Sequence, residues 1–216
     1  VNQLPLPIPA QHGGRRKGAG RPNRSGLQAH VRRPSLDKRH PVHVTIKLAH
    51  GLPGLRRKDI FKMLRKAVRK ARNRGFHVVH FAILSNHLHL ILEPQDKSVS
   101  RAMQSLEISF ARRLNQALGR SGGVFRGRYH LRVLKTPSET RRALAYVLTN
   151  EAKHGRSNLL KINPFSSAYR FRDLDALTGY KVTLTAWSED FIEDWLEQIL
   201  SPAETWLLRI GWKRAR

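Results

Sequence analysis

Apolar and polar residues alternate with a period of two along Val42-His43-Val44-Thr45-Ile46-Lys47-Leu48, with β-branched side chains on one face, a pattern that predicts a strand. Over residues 55–74 the period becomes helical. Ile60, Leu64, Ala67, Val68 and Ala71 form one apolar stripe, and Gly75 ends the run. Residues 76–84 return to strand, Ser85-Asn86 supplies a tight turn, and 87–93 forms a third strand. A second helix is predicted over 97–118 through Val99, Met103, Leu106, Phe110, Leu114 and Ala117. A glycine-rich link from Gly119 to Gly127 leads to a fourth strand near 129–135. Ser138, with Arg141 onward, then opens a helix expected to reach the stop signal His154-Gly155.

The order strand, helix, strand, strand, helix, strand is that of an α+β, ferredoxin-like β-α-β-β-α-β antiparallel sheet. Its first and third strands are central, and the helix after the last strand is placed to close over the open sheet face. Residues 156–185 show no clear period and read as irregular. Residues 188–200 and 202–212 read as two amphipathic helices, with Trp187, Trp195, Trp206 and Trp212 as packing anchors. Three regions follow: a basic arm over 1–40 expected to be disordered, a central domain over 41–155, and a carboxy-terminal extension over 156–216.

Charge changes the picture from a fold to a partner. Lys and Arg total 41 against 15 Asp and Glu, a net charge of +26 on 216 residues. A self-repelling charge of that size calls for a polyanion, and nucleic acid fits better than a membrane surface. The arm, rich in Pro, Gly and Arg, carries nine basic residues between positions 11 and 40 and one acid, Asp37. Within it, Arg15, Arg16 and Lys17 precede Gly20-Arg21-Pro22, which resembles the core of an AT-hook that lays Arg in a narrow minor groove. The plainer reading is a flexible tail that displaces counterions. The 55–74 helix bears ten basic residues, Lys62, Arg65, Lys66 and Arg69 among them, and one acid, so it is expected to face nucleic acid. No run approaches the roughly 18–20 apolar residues of a membrane span. The first residues lack the charged-then-apolar pattern of an export signal. With zero cysteines, disulfides and thiolate metal sites are excluded, which fits a cytoplasmic, nucleoid-associated protein.

The chemistry centres on His87-Leu88-His89. Alternate side chains of a strand share a face, so both imidazoles project together while Leu88, Leu90 and Leu92 point to the core. Residues two apart lie roughly 7 Å apart at Cα, close enough for both rings to converge on one metal ion. In the helix predicted over 138–154, Tyr146, Asn150 and Lys153 share one side by their spacing of three and four. Tyr146 there could present a phenol oxygen and Asn150 a carbonyl oxygen toward the histidines. On residue physics alone, Tyr146 fits an edge-of-core tyrosine as well as a nucleophile.

Three ordered motifs sharpen this. Ser85-Asn86-His87-Leu88-His89-Leu90, then Gly123-Val124-Phe125-Arg126-Gly127-Arg128-Tyr129-His130, then Tyr146-Val147-Leu148-Thr149-Asn150 resemble the single-tyrosine HUH transposases and, within them, the REP-associated tyrosine transposases. The similarity covers about residues 42–155. It implies His87 and His89 as ligands of Mg²⁺ or Mn²⁺, and Tyr146 as the residue that cleaves single-stranded DNA through a covalent 5′-phosphotyrosine. It gives Tyr129 a structural role and makes Asn150 the third metal-ligand position. Related enzymes carry Gln there, and many members continue Asn-Pro where this chain has Asn150-Glu151, so Glu151 stays open as the oxygen donor. DNA contacts are expected from Arg126, Arg128 and Lys153 besides the arm and the basic helix. The implied partners are single-stranded DNA, including hairpin-containing repeats, and the implied state is monomer or homodimer.

Three other readings compete. An RNA-recognition module shares the element order, but such modules stack bases on aromatics of the central strands. Strands 42–49 and 87–93 contain no Phe, Tyr or Trp. A domesticated relative would keep the nucleic-acid surface without transposing, and a hydrolase using water would make Tyr146 dispensable.

Overall fold

The computed structural model of the chain describes residues 35–73, 75–95, 99–150, 159–162, 165–179, 181–184 and 199–215. The arm residues Arg15, Arg16, Lys17 and Arg21 lie outside the described residues, as do Glu151, Lys153, Trp187 and Trp195. Strands β1 (Val42–Lys47), β2 (Phe76–Ile83), β3 (His87–Pro94) and β4 (His130–Val133) form one antiparallel sheet in the order β2-β3-β1-β4. Helix α1 (Lys58–Arg72) joins β1 to β2 and helix α2 (Val99–Ala117) joins β3 to β4, which completes the β-α-β-β-α-β pattern. The first and third strands are central, as the element order requires.

Alternation along β1 and β3 assigns the two faces. Val42, Val44, Ile46, Leu88, Leu90 and Leu92 pack with Ile60, Leu64 and Ala67 of α1 and with Met103, Leu106 and Phe110 of α2. Each such side chain, fully buried, contributes roughly 1.5–3 kcal/mol, so this layer supplies much of the stability. A bulge at Val78/His80 shifts the register of β2 against β3. It lets Val78 and Phe81 both face this core, while Val79 and Ala82 face the opposite one.

The opposite face is closed by helix α3 (Pro137–Leu148), whose Ala143, Leu144, Val147 and Leu148 pack on Val79, Ala82 and Ile91. The start of α3 is set by Thr136, not Ser138. Thr136 Oγ1 accepts from Glu139 N at 3.2 Å, Pro137 stands at the first helical position, and Glu139 accepts from Lys135 N at 2.9 Å. The helix ends at Leu148 instead of continuing through 150. The Thr149 hydroxyl donates to Ala145 O at 2.6 Å, a back-bond that competes with further helical turns.

Residues 156–185 are more regular than their sequence indicates. Strands β5 (Leu159–Ile162) and β6 (Lys181–Leu184) pair in parallel, a 3₁₀ turn spans Ser167–Arg170, and helix α4 spans Leu174–Thr178. Four-residue strands are too short for alternation to rise above chance. The expected helix over 202–212 is instead helix α5 (Trp206–Arg209) and a 3₁₀ turn (Gly211–Arg214), separated at Ile210. Of the two tryptophans here, Trp212 is an anchor at 2% exposure, buried against the α3 layer, whereas Trp206 is 49% exposed. Buried Glu93 of β3 pins this segment, accepting from Glu204 N, Thr205 N and Thr205 Oγ1 at 2.7–2.8 Å. No described helix is long and apolar enough to cross a membrane.

Candidate active site

The histidine strand begins at the β2–β3 hairpin, where Leu84 N bonds His87 O at 2.9 Å and Leu48 N bonds Asn86 O at 2.8 Å. His87 and His89 share a face of β3 with ring centroids 4.9 Å apart and ring planes perpendicular. The neighbouring central strand adds what sequence reasoning did not single out. Antiparallel pairing sets Thr45 opposite His89 and Lys47 opposite His87, and His43 lies diagonal to His89. The signal was present in the alternation of β1, which places His43, Thr45 and Lys47 on the face away from the α1/α2 core.

Hydrogen bonds orient both rings. His87 Nδ1 stands 2.7 Å from Asn86 Oδ1. A carbonyl oxygen only accepts, so Nδ1 carries the proton and Nε2 the lone pair. His89 Nδ1 stands 3.0 Å from Thr45 Oγ1 and 3.2 Å from His43 Nε2. His89 Nε2 is buried with no hydrogen-bond partner among the described residues. A buried polar nitrogen without a protein partner is uncommon in a native fold and leaves a lone pair or proton for a water, a ligand or an ion.

The imidazoles are held neutral. Burial, reinforced by His43, His87 and Lys47, pushes His89 down to about 3. Burial also lowers His43 to about 4, helped by His130 and Arg132. His87 is lowered by burial and by Lys47 and Arg56. Only the neutral ring offers a lone pair to a metal.

Tyr146 reaches the same place from α3. Its ring lies 5.1 Å from that of His89 and 6.0 Å from that of His43, both edge-to-face, and it is 39% exposed. Tyr129 is on the other side of the sheet, 7% exposed in the α1/α2 core, its hydroxyl donating to Ser100 Oγ at 3.4 Å. Tyr146 and the histidines line an open cleft of about 1050 Å³. Among the described residues its walls carry five Lys/Arg side chains (Lys47, Arg126, Arg128, Arg132 and Arg142) and one carboxylate, Glu139, paired with Arg132 at 3.1 Å.

The structure thus brings together His87, His89, Tyr146, Arg126 and Arg128. Asn150 follows the end of α3 and does not line the cleft, whereas Thr149 does. Lys62, Arg65, Lys66 and Arg69 lie on α1, the layer on the far side of the sheet from the cleft. Among the described residues, no group of three or more His, Asp or Glu forms a ready-made metal cage.

No protein-family model and no curated protein matches the chain. Two structures of a bacterial tRNA(His) guanylyltransferase-like protein, bound to GTP and to ATP, align over 56% of this chain and 66% and 62% of theirs. Their identities of 14% and 13% and TM-scores of 0.42 and 0.41 are too low to define a common fold. A REP-associated tyrosine transposase, solved bound to a REP hairpin, aligns over 74% of this chain and 96% of its own. The identity is 23% and the TM-score 0.57, so this chain is similar in fold to that transposase.

Proposed function

We propose that the protein is a metal-dependent, single-stranded DNA endonuclease and strand transferase, a transposase of the single-tyrosine HUH type acting in the cytoplasm on the nucleoid. The observation that carries this reading is the placement of Tyr146 against His89, whose buried Nε2 has no partner among the described residues, in a cleft walled by cations. The fold shared with a REP-associated tyrosine transposase supports it. Hairpin-bearing single strands are the proposed substrate class.

The residues fit a divalent cation. Two neutral imidazoles would hold it through their Nε2 lone pairs, and Asn150, which follows cleft-lining Thr149, or Glu151 is the proposed source of an oxygen ligand. Imidazole nitrogen suits Mn²⁺ better than Mg²⁺. Such an ion supplies Lewis-acid polarisation of the scissile phosphate.

In the proposed step the Tyr146 oxygen attacks phosphorus in line as its proton leaves. A P–O bond forms to the phenol, the bond to the 3′ oxygen breaks, and that oxygen departs as a hydroxyl. Arg126, Arg128 and Arg142 offset the charge of the strand. Because the phosphotyrosine conserves the phosphodiester linkage, an incoming 3′-hydroxyl can reverse the step and join a new strand without ATP.

The test is to incubate the protein with labelled single-stranded DNA from the flanks of its own gene and Mn²⁺ or Mg²⁺, then resolve the products by denaturing electrophoresis. A metal-dependent adduct that vanishes in Tyr146→Phe is the expected result. Retained adduct in that variant would sink the assignment. Binding with no cleavage across metals and substrates would favour a domesticated nucleic-acid-binding protein.

A further inference from the structure

We propose that His43 and Thr45 of β1 are positioning residues that determine which ring nitrogen of His89 carries the proton and which keeps a lone pair for a cation. The inference rests on the reading of His87 and His89 as metal-holding imidazoles.

A neutral imidazole carries its proton on one nitrogen or the other, and its surroundings choose. At His89 the δ nitrogen has two polar neighbours, Thr45 Oγ1 at 3.0 Å and His43 Nε2 at 3.2 Å, while the ε nitrogen is buried with none among the described residues. A proton on Nε2 would bury an N–H with no acceptor, which is rarer in folded proteins than an under-used lone pair and loses its full hydration. A proton on Nδ1 is donated to Thr45 or His43 and leaves the buried Nε2 with a lone pair for a cation. The second arrangement is favoured.

Sheet register builds this in. Thr45 is directly across from His89 in the β1–β3 ladder and His43 is its diagonal neighbour, so both partners come from one strand at fixed spacing. His87 has its own lock of the same kind from a different element, the Asn86 side chain in the hairpin turn at 2.7 Å. Each ring donates its δ proton to a neighbour and offers its ε lone pair. Partners of this sort, which orient a ligand without touching the ion, typically contribute about 10–100-fold to metal affinity.

The experiment measures Mn²⁺ binding to the full chain by calorimetry without DNA, and the His89 tautomer in the metal-free protein by ¹⁵N NMR. The wild type should show His89 protonated at Nδ1. His43→Phe with Thr45→Val keeps the side-chain bulk but removes both acceptors, and should weaken Mn²⁺ binding by about 10–100-fold. Thr45→Ser, which keeps the oxygen, should bind like wild type. Metal-free single-strand affinity should stay within about twofold in both variants, since no cation of the cleft is lost. Wild-type Mn²⁺ affinity in the double variant would overturn this inference alone, as would a metal-free wild type protonated at Nε2. A wild type that binds no Mn²⁺ would overturn the metal reading itself and this inference with it.

Discussion

The phenol ring of Tyr146 stands 5.1 Å from the imidazole of His89, edge-to-face at 83°. One ring comes from the helix that closes the sheet and the other from a central strand, 57 positions apart in sequence (146 − 89). Their meeting turns two ordinary residues into a candidate nucleophile beside a candidate metal site. It also ties the chemistry to whatever holds α3 on the sheet.

Tyr146→Phe removes one oxygen from an exposed ring edge. Covalent protein–DNA adducts should disappear, while single-strand affinity changes by less than about twofold, because packing against His43 and His89 is retained. Tyr129→Phe should leave adduct yield near wild type, since its hydroxyl donates to Ser100 Oγ on the α1/α2 side of the sheet, away from the cleft. Denaturing gels and a binding isotherm measure both. Adduct loss in the Tyr129 variant alone would reverse the assignment.

His87→Ala or His89→Ala should each abolish metal-stimulated cleavage, because one imidazole does not hold the ion against water. The fold should survive at His87, which is only half-buried beside the hairpin. Calorimetric Mn²⁺ titration beside circular dichroism separates the outcomes. A folded His87 variant with intact Mn²⁺ binding and cleavage would remove it from the site.

The basic face of α1 lies across the sheet from the cleft, so its cations should act on affinity and not on chemistry. Lys62→Gln, Lys66→Gln and Arg69→Gln together should lower the slope of log K against log salt by up to about 2, at roughly 0.7 for each single-strand phosphate that is no longer neutralised. The single-turnover cleavage rate at saturating DNA should be unchanged. Deleting residues 1–34 should act in the same direction. Full wild-type salt dependence in the triple variant would show that this face is merely solvated.

Acid should destabilise the fold through its buried histidines. Burial holds His43 and His80 at about 4 and His89 at about 3, all below the ordinary 6.5. Above pH 6.5 neither the folded nor the unfolded chain protonates these rings, and their full contribution is present. As pH falls from 6.5 towards 4 the unfolded chain takes up protons that the folded chain refuses. Stability then declines by up to about 1.4 kcal/mol per pH unit for each such ring. Urea midpoints from pH 7.5 to 4.5 measure this, and a flat profile, or NMR titration of His43 and His89 near 6.5, would contradict it.

Trp212 braces α3 from the carboxy-terminal segment. Trp212→Ala should cost about 3–5 kcal/mol, in line with deletion of a fully buried large aromatic. Exposed Trp206→Ala should cost less. Chemical denaturation compares them directly.

Periodicity was enough to place the four sheet strands, α1 and α2, because each buries one face against a single core and a burial pattern is written in its own residues. The His87/His89 pair and the Tyr146 side of its helix were legible for the same reason, since alternation and helical spacing decide which side chains travel together. Local sequence did not show β5, β6 or the break at Ile210, where elements of four residues carry too little pattern. Nor did it show that Trp206 stays exposed while Trp212 is buried. Above all, only the tertiary structure placed His43 and Thr45 against His89 and put the basic face of α1 on the far side of the sheet from Tyr146. Those relations depend on strand register and on which face a helix covers. Both are set by packing between segments far apart in the chain, which no single segment encodes.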